Sequence, residues 1–65
     1  MSQKDLIFEH LRTQGSISPV EALVVHGIAR LAARVQELRD GGLNIITTMG
    51  RDFNGRRYAR YTLAD

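Results

Sequence analysis

The sequence predicts a small α+β domain of three short helices, with a brief extended segment after the first and a β-hairpin at the C-terminal end. Three observations carry that prediction. Serine caps stand before two helix-like stretches, at Ser2 and in Ser18-Pro19-Val20-Glu21. A tight break at His26-Gly27 separates the second stretch from the third. Asn54-Gly55 lies between two runs rich in β-branched and aromatic residues, the strongest short-range hairpin signal a sequence carries.

The first helix is expected over residues 2–14. Ser2 caps it, with Asp5 three residues on, and Leu6, Ile7, His10 and Leu11 gather on one side at 100° per residue. Gly15 ends it, since glycine accepts the left-handed conformation common at helix C-termini. Ile17 follows in a short extended segment, placed to add a third strand beside the hairpin. Ser18, Pro19 and Glu21 then form a capping box with proline at the first helical position, opening a second helix over 19–25. Ala22 and Leu23 are its expected buried residues. The third helix is expected over 29–40, stopped by Gly41-Gly42. On it Ile28, Leu31, Ala32, Val35 and Leu38 form an apolar arc, and Arg30, Ala33, Arg34 and Glu37 lie opposite, with Ala29 and Asp40 at the edges. Residues 43–63 are expected to form the hairpin. A two-residue turn at Asn54-Gly55 would pair Ile46 with Leu63, whereas a longer bulged loop would place Ile45 opposite Leu63. Both registers remain open, and a one-residue slip exchanges the two faces.

The 65 residues allow a single domain spanning 1–65, with a stability margin of a few kcal/mol at this size. With no cysteine, disulfides, thiolate metal sites and cysteine nucleophiles are excluded. No apolar run approaches the roughly 20 residues that cross a bilayer, and the N-terminus does not read as a signal peptide. A cytoplasmic protein without membrane contact is therefore expected. His10 and His26 have no further histidine or paired carboxylate at ligand spacing, so no metal is expected. The chain also shows no nucleophile–base constellation and no phosphate-cradling glycine loop. The expectation is a non-enzyme without cofactors.

The net charge of +2 says little, but its distribution says more. Residues 1–29 carry two basic groups against three acidic ones, while residues 30–65 carry seven arginines, no lysine, and four acids. Arginine's fork donates two parallel hydrogen bonds to a phosphate or a guanine edge. On the third helix, Ala29, Arg30, Ala33, Arg34 and Glu37 are the expected base-edge contacts, the alanines allowing close approach. On the hairpin, Arg51, Arg56, Arg57 and Arg60 are expected to hold phosphates or enter a minor groove, and Ser18 is a further phosphate candidate at a helix N-terminus. The competing reading is an ordinary surface helix whose arginines pair with Glu37 and Asp40.

Two helices joined by a glycine-containing turn, followed by a basic hairpin, constitute a winged helix-turn-helix pattern. Ile17-Ser18-Pro19-Val20-Glu21-Ala22-Leu23, the block from Gly27 to Val35 and Leu38-Arg39-Asp40-Gly41-Gly42 resemble a family of small winged helix-turn-helix proteins encoded mostly by bacteriophages and prophages. Ala59-Arg60-Tyr61-Thr62-Leu63 fits as well, so the resemblance covers nearly the whole chain. His26 departs from it, because an aromatic residue is common before the turn glycine. The resemblance implies a small double-stranded-DNA-binding protein of phage or prophage origin, and no particular operator or regulatory outcome. The function expected first is a sequence-specific transcriptional regulator in the bacterial host cytoplasm, with a homodimer on a two-fold site as one form. An alternative is a protein-interaction module that binds a host protein.

Overall fold

The computed structural model describes residues 2–64; Met1 and Asp65, the two ends of the expected domain, lie outside the described residues. Three helices, α1 (Gln3–Gln14), α2 (Pro19–His26) and α3 (Leu31–Asp40), combine with three strands, β1 (Ser16–Ile17), β2 (Ile45–Arg51) and β3 (Arg57–Leu63). The strands form one antiparallel sheet in the order β1-β3-β2. Ile17 pairs with Tyr61 and supplies the third strand that a lone hairpin needs for stability.

The helix ends follow their local chemistry. Ser2 and Ser18 each form a full capping box: the hydroxyl accepts the N–H of the third helical residue, whose carboxylate accepts the cap N–H. Gly27, at φ 69°, ends α2, and the next N–H, that of Ile28, turns back to the Ala22 carbonyl at 3.0 Å. That bond corrects the expected start of the third helix. With Ile28 buried and its N–H committed to α2, the chain needs residues 28–30 to change direction. Ala29 and Arg30 therefore precede α3, and Arg30 stands at its N-cap position with φ −114° and ψ 56°.

The core joins one face of each helix to the inner sheet face: Ile7 and Leu11 from α1, Ile17 from β1, Ala22 from α2, Ile28 from the turn before α3, Leu31 and Val35 from α3, and Ile45 and Tyr61 from the hairpin strands. Leu23, expected inside, is 55% exposed. Helix α2 has two turns only and meets the core through Ala22, which leaves Leu23 on its outer side. Ala32 is likewise exposed rather than part of the apolar arc, because the buried stripe of α3 is the narrower set Leu31, Val35 and Leu38.

The longer hairpin loop is the one formed. Ile45 faces Leu63 and Arg51 faces Arg57, leaving residues 52–56 between the strands. A two-residue turn of the kind Asn-Gly favours needs positive φ at both central residues, yet Gly55 alone adopts it here, at 78°. Asp52 decides the outcome: its Oδ1 accepts the N–H groups of Asn54 at 2.9 Å and Arg56 at 3.0 Å. A local carboxylate–backbone bond of this kind competes directly with strand pairing.

Candidate nucleic-acid interface

Alternation along the strands sorts the wing into two faces. Ile45, Thr47, Met49 and Arg51 on β2 share a face with Leu63, Tyr61, Ala59 and Arg57 on β3. This face is buried at Ile45 and Tyr61 and runs outward to the Arg51–Arg57 pair. Those two cations are direct cross-strand partners, and Arg56 follows in the loop. All three are exposed, and among the described residues none forms an ion pair. The neighbouring Asp52 turns one carboxylate oxygen inward to the loop N–H groups. On the opposite face the Tyr58 ring lies across Gly50, where an added Cβ would meet the ring at 2.8 Å. Glycine there makes room for the ring to cover the strand.

On α3 the outermost residues are Ala32, Gln36 and Asp40, spaced four apart, with Glu37 beside them. Gln36 donates to the Asp40 carboxylate at 3.0 Å. Arg30, just ahead of the helix, is exposed and makes no side-chain bond to the helix end. Ala29 is exposed next to it and Ala33 is half-buried. Arg34 sits on the flank instead of the outer face: its side chain is 30% exposed, Nη2 lies 3.1 Å from Glu37 Oε2, and Nε is buried without a partner among the described residues. The expected pair of outward arginines on one helix face is therefore absent. Arg30 remains open at the front of the helix, and Arg34 is held by Glu37 as the competing reading foresaw.

Two arginines act as internal clamps. Arg60, expected on the wing surface, donates from Nη1 to Ser16 Oγ at 2.8 Å and lies 3.2 Å from Glu21 Oε1, tying β3 to β1 and α2. Arg39, which the sequence reading left without a role, donates from Nε and Nη2 to the Ile45 carbonyl and from Nη2 to Thr47 Oγ1 at 2.7 Å. Its guanidinium lies 6.0 Å from the Tyr61 ring centroid. The arginine fork thus fastens the last turn of α3 to the first residues of the wing. Ser18 is only 5% exposed and its hydroxyl already accepts from Glu21 N–H, so capping is the role the geometry gives it. Neither Gln36, exposed on the outer face of α3, nor Arg39 was singled out by sequence reasoning. The i, i+4 spacing of Ala32, Gln36 and Asp40 would have exposed the former once the helix start was known.

Glu21 gathers several of these contacts. Partial burial pushes its carboxyl up, but hydrogen bonding with Ser18 and the nearby charges of Arg60 and His10 outweigh it and hold the carboxyl below the ordinary glutamate range. A folded value below the unfolded one means that the carboxylate stabilises the fold above the ordinary glutamate range. That contribution fades as pH falls through the lowered folded value. Glu21→Gln should therefore lose less stability than the parent when the urea midpoint is followed from about pH 5 to about pH 3. Identical slopes for the two proteins would count against this role.

The fold also joins His10 to His26, sixteen residues apart in sequence. His10 Nδ1 and His26 Nε2 are 3.0 Å apart, with the rings edge-on at 5.2 Å, linking α1 to the end of α2. Among the described residues there is no group of three or more histidine, cysteine or acidic side chains placed to hold a metal ion. No described helix is long and apolar enough to cross a membrane.

Comparison with known proteins adds one finding. A family model described as a winged helix-turn-helix domain matches residues 2–65. No curated protein and no solved structure matches the chain.

Proposed function

The chain belongs to the winged helix-turn-helix domain family, and on that premise we propose that it binds double-stranded DNA, with the front of α3 in the major groove and the wing arginines on phosphates or in an adjacent minor groove. The observation that carries this reading is the Arg51–Arg57 pair. Like charges directly opposite on neighbouring strands destabilise a hairpin, and neither arginine forms an ion pair among the described residues. A polyanion lying along the wing turns that repulsion into attraction, and arginine suits phosphate better than lysine does. At the other end of the interface, Arg30 and Gln36 are the side chains with the chemistry to read base edges: arginine with guanine, glutamine with adenine. Ala29, Ala32 and Ala33 keep the surface around them low.

The finer reading is a sequence-specific transcriptional regulator of phage or prophage type, acting in the cytoplasm of a bacterial host. It draws on the resemblance of the Gly27–Val35 block and on the two-part division of contacts between helix and wing. A second reading, contact with a protein such as a second copy or a host component, has one observation in its favour. Val20, Leu23, Val24 and Val25 leave the outer side of α2 exposed and apolar. That surface leaves the wing arginines unexplained, so DNA is the stronger reading.

Selection of bound duplexes from a random library, followed by anisotropy titrations, tests it. An enriched sequence is expected. Arg30→Ala and Gln36→Ala should each lose roughly 1–3 kcal/mol of preference for that sequence while keeping non-specific affinity. Equal affinity of the parent protein for all duplexes would remove the sequence-specific reading, and no binding at low salt would remove DNA altogether.

A further inference from the structure

At the tip of the wing stands an apolar side chain with nothing to pack against. Phe53 is fully exposed, at 102% of its reference area, next to Asp52 at the start of the loop between β2 and β3. Isolated apolar residues on a surface are ordinary, but this one combines two further properties. The loop that carries it is braced, because four hydrogen bonds hold the backbone of residues 52–56. Asp52 N–H donates to the Arg56 carbonyl and Gly55 N–H to the Asp52 carbonyl, both at 3.0 Å, and Asp52 Oδ1 takes the N–H groups of Asn54 and Arg56. Its surroundings are also cationic: Arg51, Arg56 and Arg57 flank the loop, all exposed. Asp52, the one acid among them, has a carboxylate oxygen engaged by the loop backbone.

An aromatic ring carried on a braced loop among guanidinium groups meets two needs of one ligand. Phosphates on either strand satisfy the arginines, and the flat apolar face of a base pair satisfies the ring. We propose that the wing tip inserts Phe53 into a base-pair step of duplex DNA from the minor groove, unstacking that step and kinking the helix. Apolar wedges carried between basic residues act in this way, bending DNA by roughly 20–90° toward the major groove. The inference rests on the reading that the wing lies on DNA, and it goes further by assigning the tip a part in deforming the duplex. A wing that touched phosphates alone would have no use for the ring. A partly unstacked step is easiest to form at flexible pyrimidine–purine steps, so those are the steps expected to receive it.

The test uses the full chain and a duplex of about 30 base pairs containing TA and CA steps, labelled at both ends with a fluorescence-transfer pair. A second version of the duplex carries 2-aminopurine at those steps, a base whose fluorescence rises when it unstacks. Binding is measured separately by anisotropy of a singly labelled duplex. The parent protein is expected to raise both energy transfer and 2-aminopurine emission on binding. Phe53→Ala should still bind, through the arginines, but with both changes lost; Phe53→Leu, which keeps an apolar wedge, should recover most of them. Phe53 packs against no other part of the chain, so circular dichroism should show these variants folded. Binding by the parent without bending or unstacking would overturn the wedge and leave DNA binding intact. Equal signals from the parent protein and Phe53→Ala would overturn it as well. Absence of any duplex binding would overturn the underlying reading together with the wedge. Sedimentation showing a dimer that Phe53→Ala abolishes, with unstacking unaffected by the substitution, would assign the ring to a protein contact instead.

Discussion

Arg39→Ala is expected to lower the unfolding free energy by roughly 2–4 kcal/mol, the loss of charge-assisted hydrogen bonds to a carbonyl and a hydroxyl plus a weak cation–π contact. For a domain of this size that is a large share of the whole. The reason lies in what the guanidinium joins. Ile45 is the first residue of β2 and a member of the core, and its carbonyl receives both Nε and Nη2. Without the fork, the junction between the end of α3 and the wing has a carbonyl with no partner from the helix. Arg39→Lys should recover little, because an ammonium group cannot present two donors in the planar geometry the site uses. Urea unfolding followed by circular dichroism measures the effect. A change below about 0.5 kcal/mol, the range of ordinary surface substitutions, would show that the fork is dispensable.

The second large effect is on binding. Replacing Arg51, Arg56 and Arg57 together by alanine should reduce the slope of log K against log salt by about 2.7, at about 0.9 per phosphate neutralised. At about 0.1 M salt this corresponds to a loss of two to three orders of magnitude in affinity for any duplex, cognate or not. Stability should move the other way. Arg51 and Arg57 repel one another across the strands, so their removal should raise the unfolding free energy, read from urea titrations, by a few tenths of a kcal/mol. Opposite signs for folding and binding are what a charge pair kept for an external polyanion produces. An unchanged salt slope in anisotropy titrations would show that the wing does not touch phosphate.

Much of this architecture is legible in sequence because it is decided locally. Ser2 with Asp5, and Ser18 with Pro19 and Glu21, mark helix starts within four residues; Gly15 and Gly27 mark ends in the same way. Ile17 is readable as a strand because a serine-capped helix follows it at once. The features that escaped depend on residues far apart in the chain, or on competition between two local signals. At the hairpin, Asn54-Gly55 favours a two-residue turn, but the Asp52 carboxylate captures two nearby N–H groups and draws the loop out to five residues. At α3, the Ile28 N–H reaches back to Ala22 and delays the helix to Leu31, which moves Arg30 off the helix; with Leu31, Val35 and Leu38 turned to the core, Gln36 faces outward. Arg60 meets Ser16 across forty-four residues, and His10 meets His26 across sixteen. No period or motif encodes such meetings, since they depend on how finished elements stack. Arginine-rich composition drew attention to the C-terminal half, yet it did not separate the exposed cations at the tip from the two that serve as clamps.

The fastening of β2 to the last turn of α3 has a consequence for target choice. A hinge at that point would let the helix and hairpin adapt independently to whatever grooves lay beneath them. The arginine fork makes them one rigid caliper instead. A duplex turns once in roughly 10–10.5 base pairs, so inserting one pair between the helix-contacted and wing-contacted positions rotates one against the other by about a tenth of a turn. A caliper cannot follow that rotation. On the proposed DNA reading, spacing between the two contact positions, independent of the bases that fill it, becomes part of what this protein would measure.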